Sequence, residues 1–266
     1  MKKYQIPLDV NFDLRNYDAS EYKQYKGDKQ KAKDELFEIR KELAKLQKIH
    51  YAEQKHKILV ILQGMDTSGK DGTARNVFEG MDINGVKVEH FKKPSAEDLR
   101  RDFLWRVHKK VPADGEIVIF NRSHYEDILI VRVQNLKPKE IWENRYRHIR
   151  DFEKLLSDEG TKIIKIFLHI DHKEQTKRLQ RRIDNPEKHW KIESNDFKDR
   201  DLWDDYVHAY NDAINETNTD YAPWHIVPSN KKWYRNLITG KIILNEFMKL
   251  EFKFPPPKKE LEGLVL

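Results

Sequence analysis

The sequence predicts an α/β fold, a central parallel sheet with helices on both faces. Three observations carry this. Short apolar runs recur along the chain, helical patterns separate them, and the first run leads into a glycine-rich loop that opens a helix. Strands and helices alternating in this way are joined by right-handed crossovers, which make the sheet parallel and cover both its faces. At 266 residues the chain is sized for one domain, or one domain with appendages.

The elements follow in order. Residues 1–30 are polar without a clear period and are expected to lie over the surface as an arm. Residues 31–50 place Leu36, Ile39, Leu43, Leu46 and Ile49 three or four apart, the stripe of a one-sided amphipathic helix that packs on the core. Five segments read as buried strands: Ile58–Leu62, Val86–Phe91, Glu116–Phe120, Ile163–His169 and His225–Val227. Ser95 and Asp98 form a capping-box start for a helix running to about Lys109. Pro138 suits the first turn of a helix reaching about Leu156. Asp171 and Glu174 repeat the capping signal after the fourth strand.

Residues 178–205 set Arg178, Arg181, Arg182, Lys188, Lys191 and Arg200 among acids with few aliphatics. An element so polar is not expected in a core, and reads as a solvated helical hairpin or a mobile lid. The tail from Phe254 to Lys259 holds three consecutive prolines and reads as an extended exit. The expected division is an arm over 1–30, a single domain over 31–250 with a lid at 178–200, and a tail over 251–266.

Hydrophobic residues make up 38% and charged residues 36%, enough for one core under a very wet surface. No run of about 18 apolar residues exists, so no transmembrane helix is expected. The N-terminal residues lack the apolar stretch of a signal peptide. There are no cysteines, which excludes disulfides and thiolate zinc sites. A cytoplasmic location is expected. The net charge of +6 is compatible with a polyanionic partner of several kinds, and with a soluble protein carrying scattered lysines.

The loop Gly64–Gly72 reads GMDTSGKDG directly after the first strand. The spacing G-x-x-x-x-G-K runs from Gly64 to Lys70. Backbone N–H groups of Thr67, Ser68, Gly69 and Gly72 can turn toward one anion, with the following helix pointing its positive end at the same place. Lys70 adds a point charge. Asp71 stands where such loops carry a Ser or Thr hydroxyl for Mg²⁺, and Asp66 is a second acid inside the loop. Two acids in a phosphate cradle repel a bare anion and make sense when metal ions accompany the phosphates.

A second cluster, Phe120–Asp127 (FNRSHYED), follows the third strand and emerges at the same sheet edge. Acids in this position commonly hold Mg²⁺ directly or through water, and Arg122 offers a fork to phosphate oxygens. The bland alternative is a polar loop capping the next helix. Arg178, Arg181 and Arg182 lie at helical spacing and suit a closing face that brings positive charge to a transferring phosphoryl group. The bland alternative there is a salt-bridged solvated helix. Lys92 and Lys93 follow the second strand and lie nearest the same edge. His169, His189 and His225 lack metal-ligand spacing. Ser123 and His124 lack the glycines of a nucleophile elbow, so a hydrolase dyad is rejected. The residues therefore describe a Mg²⁺-dependent phosphoryl transferase whose surplus of cations suits a phosphate donor longer than a triphosphate.

The loop, the FNRSHYED segment and the run Arg178–Trp190 (RLQRRIDNPEKHW) together resemble the second family of polyphosphate kinases, in one order from about Ile58 to Trp233. The resemblance implies a P-loop kinase fold, thymidylate-kinase-like, with an arginine-rich helical lid. It implies transfer of phosphoryl groups between inorganic polyphosphate and nucleotides with Mg²⁺, for which Mn²⁺ can substitute. Asp66 matches the family's loop aspartate, Lys70 its loop lysine, Arg122 its second motif, and Arg178, Arg181 and Arg182 its lid. Many members have Asp where this chain has Asn121, and the N-R-S-H-Y-E-D pattern is similar to the branch that accepts both AMP and ADP, giving ADP and ATP. On this resemblance Asp66, Lys70 and Arg122 are catalytic, and the loop, Lys92, Lys93 and the lid arginines hold phosphates. Asp66, Arg122, Tyr125 and Glu126 take the nucleotide, and Asp66 with one of Asn121, Glu126 and Asp127 takes the metal.

Neither a nucleic-acid nor a membrane partner is expected. A homo-oligomer, dimer or tetramer, is expected, with the long N-terminal helix and Trp105, Trp142 and Trp203 as either interface or core. The rivals are an ATP-dependent nucleoside or nucleotide monophosphate kinase, which needs an adenine pocket for its donor, and a non-catalytic polyanion-binding protein with a vestigial loop.

Overall fold

Five parallel strands form one sheet in the order β2-β3-β1-β4-β5, with β1 (Lys57–Gln63), β2 (Val86–His90), β3 (Ile117–Asn121), β4 (Thr161–His169) and β5 (Trp224–Pro228). Each expected run is a strand, its ends shifted by one or two residues, but β2, at the edge of the sheet, is not buried as expected. The computed structural model describes residues 1–192 and 195–257, without the side chains of 195–197. Residues 193–194 of the expected lid and 258–266 of the expected tail, with Lys258 and Lys259, lie outside the described residues.

The helices are α1 (Lys29–Glu53), α2 (Lys70–Val77), α3 (Ala96–Leu99), α4 (Trp105–His108), α5 (Glu126–Val133), α6 (Lys139–Asp158), α7 (His172–Ile183), α8 (Asn195–Asp201), α9 (Trp203–Thr217) and α10 (Lys232–Met248). Strand side chains alternate between faces. Ile58, Val60 and Leu62 join one apolar layer with α1, α2 and α10, while Leu59 and Ile61 join the other with α5, α6 and α9. The side chains from Ile58 to Leu62 are 0% exposed, and burial of each contributes about 1.5–3 kcal/mol. This explains an apolar run without polar alternation: both faces of the strand are inside.

Three local expectations need correction. The α1 stripe drifts at its end, so Gln47 and His50 are buried while Leu46 and Ile49 are half-buried. Gln47 is matched by the Asp82 backbone, and His50 Nε2 by the His56 carbonyl. The capping box at Ser95 and Asp98 forms, but its helix stops at Leu99. Asp102 then caps a new turn by accepting from the N–H groups of Leu104 and Trp105. The third correction concerns residues 1–30, which do more than lie on the surface. Ile6, Phe12 and Leu14 enter the core on the α9 side. Asn211, Asn215 and Asn218 in and after α9 bond the arm's backbone at Leu14, Phe12 and Ile6, a ladder that compensates for the arm's lack of regular structure.

Candidate active site

β1 and β3 are neighbours, with Leu62 paired to Asn121, so the turns that follow them leave the sheet side by side at its carboxyl edge. Ligands bind at that edge in open α/β sheets. The loop after β1 needs two glycines for steric reasons. At Gly64 (φ 146°) a Cβ would lie 2.6 Å from the Leu168 carbonyl oxygen. At Gly69 (φ 101°) it would lie 1.9 Å from Arg235 Nη1. Thr67 holds a left-handed φ of 62° without being glycine, a strain of about 1–3 kcal/mol that the surroundings must sustain.

What sustains it is a pair of buried guanidiniums behind the loop. Arg178 Nη1 donates to the Thr67 and Ser68 carbonyls at 2.9 Å, and its Nη2 donates to the carbonyls of Ser229 and Asn230 at 2.6 and 3.1 Å. Arg235 Nη1 donates to the Ser68 carbonyl at 3.0 Å. Burial pushes both groups below the usual guanidinium range, and in Arg235 the neighbouring Arg178 adds to it. The loop's carbonyls are thus gripped from behind, while the Ser68 N–H closes a turn on the Met65 carbonyl at 3.1 Å. Arg178 is therefore 6% exposed and anchored on the phosphate loop, a correction to its expected place on a mobile lid. Arg235 escaped the sequence analysis, because in sequence it is one of several charges along α10.

Lys70 is 8% exposed, and its Nζ donates to the Gly64 carbonyl at 2.8 Å and the Met65 carbonyl at 3.3 Å. Burial, assisted by Arg122, lowers its pKa to about 8. Asp66 sits at the loop mouth between two cations, with Arg122 Nη2 3.3 Å from Oδ1 and Arg182 Nη1 3.7 Å from Oδ2. Glu126 Oε2 is 4.0 Å from Arg122 Nη1, and Glu126 followed by Asp66 keeps that guanidinium firmly protonated despite its burial. Asn121 Nδ2 donates to Asp71 Oδ1, joining the second turn to the start of α2.

The structure gathers Gly64, Asp66, Lys70, Arg122 and Glu126 around one cleft of about 40 Å³. That is room for a few waters. Its far wall is Gln175, Asp199, Trp203, Tyr206 and Tyr210. The aromatic wall was not legible in sequence as part of the site, because α9 reads as an ordinary amphipathic helix. Two expected residues of the second turn are elsewhere. Tyr125 is 1% exposed, with its hydroxyl in the core 2.8 Å from Glu153 Oε1, so it does not face a nucleotide. Asp127 is 8% exposed and lies 3.0 Å from Arg106 Nη2 and 3.8 Å from Arg145 Nη1, so its carboxylate is engaged in ion pairs and does not line the cleft. The helical rotation of about 100° per residue explains both: with Glu126 facing the cleft, its neighbours turn inward.

Lys92 and Lys93 are exposed beyond β2 and do not line the cleft. Arg181 is exposed, and together with Arg178, Arg235 and Lys188 it surrounds Lys232, whose ammonium is held below its usual range by burial and by these cations. This basic cluster at the start of α10 was also missed. Among the described residues no group of three acids or histidines forms a metal cage. The donors present suit Mg²⁺ all the same, because that ion takes one or two carboxylates and fills its octahedron with phosphate oxygens and water. Asp66 at the loop mouth and Asp71 at the start of α2 are carboxylates of the number that ion takes. Thr67 Oγ1, Ser68 Oγ and Gln175 Oε1 are buried at the same place without a partner among the described residues, as expected of a surface built for a polar ligand.

Comparison with known proteins agrees with this geometry. The chain matches the family model Polyphosphate kinase 2 (PPK2) over residues 26–254. It is 51% identical over 266 residues to the AMP/ADP-polyphosphate phosphotransferase of Meiothermus ruber, covering 100% of both chains. It is 42% identical over 226 residues to the ADP-polyphosphate phosphotransferase of Rhodopseudomonas palustris, covering 80% of this chain and 78% of that one. The crystal structure of polyphosphate kinase 2 from Arthrobacter aurescens TC1 superposes with a TM-score of 0.94 at 39% identity, covering 98% of this chain and 93% of that chain. No helix among the described residues is long and apolar enough to cross a membrane. With a glycine loop clamped by arginines, a second turn beside it and these relatives in common, the chain belongs to the polyphosphate kinase 2 family.

Proposed function

We propose that this chain moves a phosphoryl group between inorganic polyphosphate and AMP or ADP. The observation that carries this is Asp66 held between Arg122 and Arg182 at the mouth of the loop that buries Lys70. Two arginines on a partly exposed carboxylate exceed what that carboxylate needs, and guanidinium forks are suited to phosphate oxygens that enter beside it. The names of the Meiothermus ruber and Rhodopseudomonas palustris relatives support the donor and the acceptors.

In this scheme the terminal phosphate of the donor rests on the loop N–H groups with Lys70, and the chain behind it runs toward Arg181, Lys188 and Lys232. The acceptor phosphate lies beside Arg122, and its nucleoside faces Trp203, Tyr206 and Tyr210. An acceptor phosphate oxygen attacks the terminal phosphorus in line. The P–O bond to the rest of the donor breaks, and the shortened chain leaves with the electron pair. Near neutral pH the attacking oxygen is already ionised, so no general base is required. Asp66 orients and Lys70 and Arg122 spread the developing charge. Asp66 and Asp71 would hold Mg²⁺, or Mn²⁺ in its place, which when bound supplies charge neutralisation between donor and acceptor oxygens; Asn121 fixes Asp71 for that task.

A cleft with room for a few waters must open to admit a nucleotide. The wall that carries Asp199 and Trp203 is the part proposed to move, while Arg178 stays with the loop. The division into arm, domain and tail, a cytoplasmic location and a homo-oligomer belong to the same proposal. The test is to incubate the protein with Mg²⁺, long-chain polyphosphate and either AMP or ADP, without ATP, and to separate the nucleotides by anion exchange. ADP and ATP are expected to form. Absence of product, with ATP serving as donor instead, would replace this scheme by an ATP-dependent kinase.

A further inference from the structure

Lys165 occupies a β4 position between Ile163 and Phe167 on the core side of the sheet, where alternation calls for an apolar residue. Its side chain and that of Glu153 on α6 are both 0% exposed. Lys165 Nζ donates to Glu153 Oε2 at 2.6 Å, to the Thr217 carbonyl at 2.7 Å and to Tyr125 Oη at 3.0 Å, using all three protons. Glu153 Oε1 lies 2.8 Å from Tyr125 Oη and 3.2 Å from His124 Nε2. Thr217 Oγ1, 3.0 Å from Tyr125 Oη, also accepts from Trp224 Nε1 at 3.0 Å. A buried ion pair of this kind contributes little net stability, since a well-packed apolar pair of the same volume often does as well or better.

What the pair touches is the turn after β3. Ser123, His124 and Tyr125 are 0, 0 and 1% exposed and directly follow Arg122, whose φ of 63° is strained for an arginine. Ser123 Oγ accepts from Gln63 Nε2 at 3.1 Å, from the strand residue just before the phosphate loop. Only Arg122 of these four reaches the cleft. We propose that Glu153 and Lys165 are positioning residues: through His124 and Tyr125 they fix the turn that holds Arg122 beside Asp66. This rests on the function proposed above. Burial alone would neutralise Glu153, but Lys165 and His124 hold its carboxyl below the usual range, so the anchor is an ionised carboxylate with each oxygen engaged.

The experiment pairs Glu153→Leu with Lys165→Met, which removes both charges while keeping volume, and measures melting temperature, kcat and both KM values with polyphosphate and ADP. The expected result is a folded enzyme with melting temperature and KM values close to wild type and kcat lower by about tenfold or more, since small displacements of a positioning group cost that much. Arg122→Ala in this background should cost less than in the wild type, because the network acts through Arg122. A folded double variant with wild-type kcat, or losses that simply multiply, overturns the proposal. Should the double variant not fold, Tyr125→Phe removes one anchoring hydroxyl and keeps the ring; a kcat several-fold lower at unchanged KM is expected, and wild-type kcat overturns it. A wild-type protein inert toward polyphosphate would instead sink the function, whereas an active wild type matched by its variants sinks the network alone.

Discussion

The turns after β1 and β3 leave adjacent strands at the same edge, yet they are held by opposite means. The first is a glycine-bearing loop held through its carbonyls, those of Thr67 and Ser68 gripped from behind by Arg178 and Arg235 and those of Gly64 and Met65 by Lys70. The second has no glycine between Phe120 and Asp127, and is held by side chains sunk beneath it, Ser123, His124 and Tyr125. The difference follows from what each presents. A phosphate cradle offers backbone N–H groups, which requires freedom of φ and support on the carbonyl side. A turn that offers one guanidinium requires that its neighbours be anchored.

The comparison breaks most readily at Lys70. Lys70→Ala is expected to lower kcat/KM by about a thousandfold or more, the scale set by loss of a charge that stabilises a transferring phosphoryl group. The melting temperature should change little, because Arg178 and Arg235 still grip the Thr67 and Ser68 carbonyls when the Lys70 bonds to the Gly64 and Met65 carbonyls are lost. Turnover near wild type in a folded variant would show that the cradle is not where transfer occurs. Asp66→Asn comes next, with a loss of about a hundredfold in kcat and a smaller change in polyphosphate affinity measured by equilibrium binding. Equal losses in both would make Asp66 a structural partner of Arg122 and Arg182.

A smaller effect is set by pH. Lys70 is lowered to about 8 by burial in the free enzyme, so kcat/KM for polyphosphate should fall as pH rises through that value and the cation is lost. Bound phosphate restores the charged form, and kcat itself should persist to higher pH. The stability term runs the other way. The unfolded lysine titrates near 10.4, so between about 8 and 10.4 the unfolded chain binds the extra proton, and this residue's contribution to stability rises with pH. Activity lost with the fold still intact over that window separates the lysine from general alkaline unfolding.

The two turns were also unequally legible in the sequence. The glycine loop declares itself, because its spacing encodes its shape, and the five apolar runs place it on a sheet. The second turn was found, but its residues were mis-sorted: Tyr125 and Asp127 face inward while Glu126 faces the cleft, a rotation that depends on where α5 begins. Arg235, Lys165 and the aromatic wall of α9 lay beyond local reasoning. Their roles depend on partners from other elements, such as Glu153 of α6 for Lys165 and the Ser68 carbonyl for Arg235, at positions where the local pattern merely records a charge among apolar residues or an amphipathic stripe. The capping box at Ser95 was correct as a start and misleading as a length, since Asp102 offered a second cap.

Asp127 gives the smallest effect on activity and the sharpest contrast between the turns. Its carboxylate is paired with Arg106 at 3.0 Å and Arg145 at 3.8 Å, on α4 and α6, while Arg106 Nη1 also donates to the Lys92 carbonyl at 2.8 Å. Asp127 therefore ties β2's exit, α4 and α6 to the second turn and faces away from the cleft. Asp127→Asn keeps the shape and leaves two partly buried guanidiniums without their counter-charge, which should cost about 2–3 kcal/mol in denaturant unfolding, somewhat less than for a fully buried pair. Below the melting transition kcat should remain within about twofold of wild type, and the Mg²⁺ dependence of the rate should be unchanged, because this side chain faces Arg106 and Arg145 and does not line the cleft. A shifted Mg²⁺ requirement in a stably folded Asp127→Asn protein would return the residue to the metal site and erase the distinction between a turn that does the chemistry and a turn that is built to stand still.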